Sequence, residues 1–359
     1  MKKKHRWWKI LLALLGAVVI AFGGYLIYLF SAYHRMADDL PLTAKHEQTG
    51  ELQTGKAYTA QTYNIGYGSY PTSYSFFMDG GKYSRAYSKK AVNASLDGII
   101  KTTETDTPDI AFFQEVDWDG DRSQHVNEVT KLENAFKGTH TAVYGPNYDS
   151  PYLFYPFTDP IGKAKSGLVT LVSAGVTSAR RYKLPIDNGL GRFIDLDRAF
   201  TATKVKVEGG KTLQLINIHM SAFTKKREVQ QAQFDTLFAY IKKAYASGDY
   251  VIVAGDYNHT PLPDTPKIFG TSSKPQTWTH PFPHDQLPKG FYMPTMGLAK
   301  AKVPSARGLD KPYSAKSFVT LIDGFILSPN ITAHTVAVTD TGFEYSDHNP
   351  VRLTFTLNK

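Results

Sequence analysis

Tyr250-Val-Ile-Val-Ala-Gly-Asp-Tyr-Asn-His-Thr-Pro261 is the stretch that decides the fold. Residues 251–254 are apolar and β-branched in part, which is typical of a strand buried on both faces. Asp256 and Asn258 follow two residues apart, so in an extended chain both side chains point to one side. Such a strand brings a carboxylate and an amide to its end, as a metal site or a phosphate site requires. Alone, the pattern also fits a strand that ends in an Asx turn.

The composition is that of a globular protein with ample material for a hydrophobic core. Of 359 residues, 42% are hydrophobic and 13% aromatic, and none is cysteine. Disulfides and thiolate metal sites are therefore excluded, and any metal must be held by carboxylate, amide or imidazole groups. The net charge of +9 includes five positive residues within residues 2–9, and without them the chain has 36 basic and 32 acidic residues. This balance lacks the strong positive charge of a dedicated nucleic-acid binder.

Residues 10–33 form an apolar segment without a charged residue or histidine. At about 1.5 Å per residue, a helix of this length spans the roughly 30 Å hydrocarbon core of a bilayer. Aromatic residues suited to the membrane interface lie at its two ends: Trp7, Trp8, Tyr25, Tyr28 and Tyr33. Five positive residues precede the segment and one arginine, Arg35, soon follows it. The positive-inside rule therefore predicts a single-pass plasma-membrane anchor, with residues 1–9 as a cytoplasmic tail and the rest extracellular.

A cleaved signal peptide is the alternative to the anchor, and the protein would then be secreted. Ala21-Phe22-Gly23 has small residues at the spacing of a cleavage site, but the sequence stays apolar for ten more residues. Residues 34–57 are polar and contain Pro41, Gly50 and Gly55. This composition predicts a linker, part of which can pack on the following domain.

Residues 58–359 read as one domain in which strands and helices are mixed. The predicted helices are residues 88–105, 124–136 and 225–246. The predicted strands are residues 59–65, 109–116, 166–174, 198–207, 211–219, 251–254, 321–327, 331–338 and 350–357. A loop of about sixty residues after Asn258 is unusually long for a compact domain. Few helices in this order indicate the α+β class, with layered sheets rather than a doubly wound parallel sheet.

Polar groups that can bind a metal or move protons recur at the ends of the predicted strands. Five strands carry such groups at or near one end: Asn64, Glu115, His219, the pair Asp256 and Asn258, and Asp323. A sixth group, Asp347-His348, comes just before the last strand. Functional groups from distant parts of a chain that gather at strand ends are typical of an active site on a rigid sheet.

These segments resemble the endonuclease/exonuclease/phosphatase family, which includes pancreatic-type deoxyribonuclease. The matching pieces follow the family order: Tyr63-Asn64, Gln114-Glu115, Asn217-Ile218-His219, Gly255-Asp256-Tyr257-Asn258, Ile322-Asp323 and Ser346-Asp347-His348. The resemblance spans residues 58–359. It implies a four-layered sandwich of two packed mixed β-sheets flanked by helices, and Mg²⁺-dependent cleavage of phosphoester bonds.

The resemblance also implies which residues hold the metal. Glu115 is expected to be the principal ligand, assisted by Asn64 and Asp347. Mg²⁺ is the expected ion, and Mn²⁺ and Ca²⁺ accept the same oxygen ligands. A hard cation in this site would neutralise the charge of the phosphoester and acidify the attacking water.

The catalytic roles follow from the same resemblance. Asp256 and Asn258 are expected to orient or deprotonate the attacking water, and Asn258 also contacts the phosphate. His219 and His348 are expected to donate hydrogen bonds to the phosphoryl oxygens, where negative charge develops. Asp323 orients His348, because a carboxylate beside an imidazole fixes its tautomer.

Other polar residues carry weaker signals. Lys225, at the start of a predicted helix, and Arg307, in the loop before Asp323, are candidates for substrate binding, with a solvated surface role as the alternative. His259, His280 and His284 could suggest a zinc cluster, but their position in a long loop favours surface histidines.

The sequence therefore predicts a membrane-anchored, extracytoplasmic, Mg²⁺-dependent phosphodiesterase, in the first place a nuclease acting on DNA or RNA. Abasic-site endonucleases have a tyrosine before the glycine of the central strand, where this chain has Lys165-Ser166-Gly167. A phospholipid or sphingomyelin phosphodiesterase and an inositol-phosphate phosphatase remain alternatives, since the shared site cleaves all these substrates. A catalytically silent surface binding module is the alternative of another class. No obligate protein partner is expected.

Overall fold

A computed structural model of the chain describes residues 4–193, 195–222, 227–271 and 279–359. Within these ranges the α-helices are α1 (Lys4–Ala32), α2 (Lys89–Asp106), α3 (Glu128–Phe136), α4 (Arg227–Ala246), α5 (Thr265–Phe269) and α6 (Leu298–Ala301). The longer strands are β3 (Ala57–Asn64), β4 (Ile110–Gly120), β5 (Thr141–Asp149), β6 (Ala164–Val172), β7 (Val176–Lys183), β8 (Ala199–Val207), β9 (Lys211–His219), β10 (Tyr250–Asp256), β15 (Asp323–Leu327), β16 (Ile331–Val338) and β17 (Val351–Leu357). Short strands of two residues complete the set: β1 (Leu40–Pro41), β2 (Ala44–Lys45), β11 (His259–Thr260), β12 (His280–Pro281), β13 (Ala306–Arg307) and β14 (Val319–Thr320).

Two large sheets dominate the described part of the chain. One has six strands in the order β1-β7-β8-β9-β10-β15, and the other has seven in the order β16-β17-β3-β4-β6-β5-β2. Both are mixed, because β9 runs parallel to β10 and β3 parallel to β4, whereas their other neighbours are antiparallel. The predicted α+β class with two mixed sheets is confirmed.

The hydrophobic core lies in three layers between four layers of structure. Between the sheets, Phe112 and Phe355 of the seven-stranded sheet pack with Leu215 and Ile252 of the six-stranded sheet. The outer face of the six-stranded sheet is covered by α4, and that of the seven-stranded sheet by α2 and α3. Each helix therefore buries one apolar face on a sheet, which is the predicted helix–sheet–sheet–helix sandwich.

A polar bridge crosses the core between the two sheets. Gln114 Nε2 donates to Asn217 Oδ1 at 2.7 Å, and Asn217 Nδ2 donates to the carbonyl oxygens of Phe113 and Val169 at 3.2 and 3.0 Å. Both side chains are fully buried. Because an unpaired buried amide is costly, these bonds fix how the two sheets are set against each other.

α1 is exposed over most of its length. The most apolar stretch of 18 residues within Trp7–Ala32 has a mean hydropathy of 2.6, and none of it is buried in the protein. By length and composition the helix is able to cross a membrane. Its last turns contact the domain, where Tyr25 Oη donates to Tyr152 O at 3.0 Å and Tyr152 N donates to Tyr28 Oη at 2.9 Å.

The segment predicted as a linker, residues 34–57, is bound to the domain over much of its length. Arg35 forms an ion pair with Asp197 at 2.7 Å, β1 pairs with β7, β2 pairs with β5, and Leu52 is buried. A two-residue strand has too few positions for an alternation pattern, which explains why the sequence shows only polar, turn-like residues here.

The prediction that His259 lies on the surface is wrong. His259 is 5% exposed, its Nδ1 donates to Tyr257 O at 2.8 Å, and its ring packs edge-on against Phe234. Burial lowers the pKa of His259 to about 4. His280, its strand partner, is half-buried, and His284 is exposed as predicted.

Candidate active site

Strand register brings the predicted residues to one edge of the sandwich. In the six-stranded sheet Asp256, the last residue of β10, pairs with His219 of β9 on one side and with Asp323 of β15 on the other. In the seven-stranded sheet Asn64 ends β3 and pairs with Gln114, the residue before Glu115. The ends of β3, β9 and β10, the start of β15 and the middle of β4 therefore meet at a single site.

Glu115 and Asp256 lie on either side of the Asn64 side chain. Asn64 Nδ2 donates to Glu115 Oε1 and to Asp256 Oδ2, both at 3.1 Å. Its Oδ1 accepts a bond from the Gly66 amide at 3.0 Å, which fixes the orientation of the amide. Asn64 thus presents nitrogen to the carboxylates, and this geometry favours a positioning role over the metal-ligand role expected for it.

Glu115 and Asn258 have backbone conformations that non-glycine residues rarely adopt. Their φ angles are 55° and 50°. Glu115 lies where the pairing of β4 with β6 shifts register, between Phe113 and Val116. A bulge of this kind re-aims one side chain without ending the strand. Here it turns Glu115 towards Asp256.

The electrostatics of the two carboxylates favour a cation. Burial and the neighbouring Asp347 raise the pKa of Glu115 to about 7, and burial and Asp323 raise the pKa of Asp256 to about 7. Each of the two acids is held against ionisation by burial and by a further carboxylate, and a positive ion at the site would stabilise their charged forms. Their hard oxygen atoms suit Mg²⁺, so the residues present fit the metal.

His348 and Asp323 form a hydrogen-bonded pair beside Asp256. His348 Nδ1 donates to Asp323 Oδ2 at 2.9 Å, and Ser305 Oγ donates to the same oxygen at 2.6 Å. His348 Nε2 is 3.7 Å from Asp256 Oδ2. Burial lowers the pKa of His348, but Asp323, with Asp347 and Asp256, outweighs burial and holds it well above its usual value.

Asp256, Asp323 and His348 also offer atoms within 4.8 Å of one another, which is close enough to hold a metal ion. In this arrangement, however, the Asp323 oxygen is shared by His348 and Ser305. A protonated imidazole donates hydrogen bonds and is no ligand. The geometry therefore permits a divalent cation at the site and favours Glu115 and Asp256, rather than His348, as the groups facing it.

His219 supplies a second imidazole in the opposite charge state. Its Nε2 lies 3.7 Å from both Glu115 Oε1 and Asp256 Oδ2, and its buried Nδ1 has no hydrogen-bond partner among the described residues. Burial, with the positive charges of Arg198 and His348, lowers the pKa of His219 well below its usual value. The site thus combines one neutral and one protonated histidine.

The remaining predicted residues lie around this centre. Asn258 Nδ2 donates a hydrogen bond to Met220 O at 2.8 Å. Asp347 lies next to Gly66, since a Cβ on that glycine would lie 2.7 Å from Asp347 Oδ1. Arg307 is buried and lines the cavity, and its Nη2 donates to the carbonyl oxygens of Tyr70 and Pro71. Lys225 lies outside the described residues.

Two arginines of the site were missed in the sequence. Arg122 is paired with Asp117 and stacks 3.3 Å above the Tyr67 ring, and Arg198 donates to Met220 O at 2.9 Å. Both line the same cavity as Glu115. Arg122 lies outside every predicted strand. Arg198 is the first residue of the predicted strand 198–207, beside Asp197, and this position is the signal that could have found it.

A single continuous cavity of about 780 Å³ contains the site. Its inner end is lined by catalytic candidates: Glu115, His219, Asp256, Asn258, Asp347 and His348. Its outer end is lined by apolar residues of α1 and of the loops around it, among them Leu26, Leu29, Phe77 and Leu153. The cavity is therefore polar and charged at one end and apolar at the other.

The sandwich and its buried carboxylate and imidazole groups define a metal-dependent phosphoester hydrolase fold. The chain belongs to the endonuclease/exonuclease/phosphatase family, whose sequence profile matches residues 62–348. A search of curated proteins by sequence found no match.

Solved structures share the fold at low sequence identity. An endonuclease/exonuclease/phosphatase from Beutenbergia cavernae DSM 12333 is 14% identical, with a TM-score of 0.54 over 84% of this chain and 72% of that one. Truncated TDP2 from Caenorhabditis elegans is 16% identical, with a TM-score of 0.52 over 84% and 98%. TDP2 from D. rerio, complexed with a single-strand DNA product, is 15% identical, with a TM-score of 0.52 over 84% and 99%.

Proposed function

We propose that this protein is a membrane-anchored, extracytoplasmic, Mg²⁺-dependent phosphodiesterase. The observation that carries the proposal is the meeting of Glu115 and Asp256, from different sheets, around one Asn64 amide. A neutral and a protonated histidine adjoin them. A structural role would not require two adjacent carboxylates that burial and further acids hold against ionisation, whereas a metal-assisted attack on a phosphoester does.

Glu115 and Asp347 would hold the metal, and Asn64 would fix the carboxylates of Glu115 and Asp256. The bound ion would supply charge neutralisation of the phosphoester and a lowered pKa for water. Asp256 would orient that water and accept its proton, a role suited to a carboxylate whose pKa is already raised.

The histidines would act on the phosphoryl oxygens. His348, protonated and held by Asp323, donates a charged hydrogen bond where negative charge accumulates. His219, neutral and with no partner at Nδ1 in the part of the chain that the structure describes, donates a second bond through its protonated nitrogen. Asn258 would steady the same oxygens with the amide hydrogen that Met220 does not use.

The proposed location of the enzyme rests on α1. The five positive residues before the apolar segment support a cytoplasmic N-terminus and an extracellular catalytic domain. Secretion after cleavage near Gly23 is the alternative. Such a cut would leave the last turns of α1, with Tyr25 and Tyr28, attached to the domain.

Two substrate classes have support. A nuclease activity on DNA or RNA is supported by the similarity to TDP2 from D. rerio, whose complex contains a DNA product. A phospholipid phosphodiesterase is supported by the cavity, which runs from Glu115 to the anchor helix at Leu29. No feature of the described residues favours an inositol phosphate. The complete set of catalytic groups argues against a silent binding module.

The test is hydrolysis of bis-para-nitrophenyl phosphate by the full-length protein in detergent. We expect turnover with Mg²⁺, none with EDTA, and a loss of roughly a thousandfold or more in Glu115→Gln, since a metal-binding carboxylate is removed. Glu104→Gln, at an exposed carboxylate of α2, is the matched control. Turnover that persists in EDTA, or in Glu115→Gln, would contradict the proposal.

A further inference from the structure

The anchor helix forms part of the wall of the catalytic cavity. Four residues from the last two turns of α1 line it: Tyr25, Leu26, Leu29 and Phe30. The same cavity reaches Glu115, Asp256 and His348. The cavity therefore leads continuously from the last turns of α1 to the catalytic groups.

This arrangement is fixed by polar contacts at the end of the helix. Arg35, three residues beyond α1, pairs with Asp197 at 2.7 Å and donates to Leu184 O at 2.9 Å. Asp197 also accepts bonds from Met36 N and from the fully buried Arg181. Because Arg181 is in turn bound to Ala37 O, the chain cannot swing freely where it leaves the helix.

The outer rim of the cavity is apolar and exposed. Phe154 and Tyr155 line the cavity and are 49% and 63% exposed, and the Phe154 ring packs against Tyr25 of α1 at 4.9 Å. Phe157, 84% exposed, lies beside them, with its ring 5.8 Å from that of Tyr155. Met78 follows Phe77, whose ring packs on Tyr155 at 5.7 Å, and is 49% exposed. Aromatic residues beside a membrane helix are typical of groups that enter the lipid interface. A rim that bound nucleic acid from water would instead carry exposed cations.

The two ends of the cavity match the two ends of a lipid phosphoester. Arg122, Arg198 and His348 at the inner end suit the phosphate, and the apolar outer end suits a hydrocarbon chain. A hydrocarbon chain that moves from the bilayer into an apolar groove exchanges one apolar environment for another, so its transfer costs little free energy.

We propose that the groove between the last turns of α1 and the loop residues 153–157 binds the hydrocarbon chain of a phosphoester lipid from the same bilayer and guides its phosphate to the catalytic centre. This inference rests on the proposed phosphodiesterase function and names its substrate class. α1 then serves as part of the substrate site as well as an anchor.

The experiment uses full-length protein in vesicles of phosphatidylcholine, phosphatidylethanolamine, phosphatidylglycerol and sphingomyelin, with Mg²⁺ and with EDTA. Lipid products are measured by mass spectrometry, and bis-para-nitrophenyl phosphate reports the state of the catalytic centre. We expect Mg²⁺-dependent cleavage of at least one lipid that shares the vesicle with the protein. Lipid supplied in separate vesicles should be cleaved far more slowly.

Two matched substitutions locate the path of the lipid. Leu29→Trp fills the groove, and Ile27→Trp places the same side chain at a 72% exposed position that does not line it. Leu29→Trp should lower lipid cleavage by about tenfold or more, because the lipid phosphate is then misplaced at the catalytic centre. Cleavage of the soluble ester should fall much less. Ile27→Trp should change neither activity.

The outcomes separate the inference from the proposed function. Cleavage of the soluble ester and of plasmid DNA or RNA, but of no vesicle lipid, overturns the inference and leaves the phosphodiesterase standing. The inference is also overturned if the two tryptophan variants cleave lipid equally fast. The same holds if lipid in separate vesicles is cleaved as fast as lipid in the vesicle that carries the protein. Failure to cleave any substrate with Mg²⁺ overturns the proposed function, and the inference with it.

Discussion

Glu115 combines an unfavourable backbone conformation with an unfavourable location for its charge. Its φ of 55° lies in the left-handed region, and its carboxylate is close to Asp256 and Asp347. Strand pairing on both sides of the bulge holds the residue there. Strain of this kind persists at functional sites because the surrounding structure over-determines the position.

Glu115→Gln should make the metal-free protein more stable. The substitution removes a buried negative charge beside two others, so the free energy of unfolding in EDTA should rise by roughly 1 kcal/mol. Urea denaturation followed by tryptophan fluorescence measures the change.

Mg²⁺ provides the matching control for Glu115→Gln. It should raise the stability of the unsubstituted protein, because a ligand stabilises the state that binds it, and have much less effect on the variant. Equal stabilisation of the two proteins by Mg²⁺ would show that Glu115 is not a ligand.

His259 should make the protein sensitive to acid. Its pKa falls from an ordinary 6.5 to about 4 on folding, so between these values the unfolded chain binds a proton that the folded chain does not. The free energy of unfolding should therefore be highest above 6.5 and decline as the pH falls towards 4, by about 2–3 kcal/mol from this residue. Denaturation curves across this range measure the slope.

His259→Asn is the informative substitution for that slope. An asparagine amide can keep the bond to Tyr257 O but does not titrate. The variant should have a flatter dependence on pH, and His284→Asn, at an exposed histidine, is the control. An unchanged slope in His259→Asn would disprove the assignment.

At the scale of elements, the sequence predicts the strands that deliver the site because these strands are buried. β10 is apolar from Tyr250 to Ala254 before Asp256, and β4 is apolar from Ile110 to Phe113 before Glu115. β9 is buried from Leu213 to His219, with apolar residues at four of these seven positions. β5 and β7 were not predicted, since Pro146 interrupts the first and the charges of Arg180, Arg181 and Lys183 mask the alternation of the second.

The long loop after Asn258 is built from elements too short to predict. β11 to β14 have two residues each, and α5 and α6 have five and four. The hydrogen bond between Gln114 and Asn217, which bridges the two sheets, is not predictable from the sequence either. A spacing pattern shows which residues are buried but not which polar groups meet.

Gly255 is required where β10 approaches β9. A Cβ at this position would lie 1.9 Å from Ile218 O, and φ is 152°. Gly255→Ala should push the two parallel strands apart and lower the free energy of unfolding by roughly 3 kcal/mol or more. Thermal and urea unfolding measure the loss.

Gly324 is the matched control, because it pairs directly with Gly255 across β15. A Cβ at Gly324 would meet only the Met293 side chain, at 3.9 Å. Gly324→Ala should therefore be tolerated. Similar losses from the two alanine substitutions would contradict the steric explanation.

At the scale of the whole molecule, α1 and the domain are joined by contacts between distant parts of the chain. Arg35 and Asp197 are separated by 162 residues in sequence. Composition and periodicity identify the apolar helix, but they carry no information about such pairs. This is why residues 34–57 were expected to be a linker.

Asp197→Asn should loosen this junction. The substitution leaves the buried guanidinium of Arg181 without its countercharge, so the free energy of unfolding should fall by about 3 kcal/mol. Cleavage after Arg35 by trypsin should become faster, because the ion pair that holds Arg35 is weakened. Gel electrophoresis of timed digests follows the cut.

The neighbouring pair Asp39–Arg180 is a control for Asp197→Asn. It lies on the surface, where ion pairs contribute little. Asp39→Asn should leave both stability and the rate of cleavage nearly unchanged. A junction that resists trypsin equally in both variants would argue against the role of Asp197.

With α1 in a bilayer, the short and fixed connection to the domain sets the height of the catalytic centre above the lipid headgroups. Such an enzyme searches for its substrate in two dimensions and need not dissociate between turnovers. Its rate would then depend on the mole fraction of substrate in the membrane plane, not on the total amount in the sample, so diluting the target lipid with inert lipid would slow catalysis at constant bulk concentration.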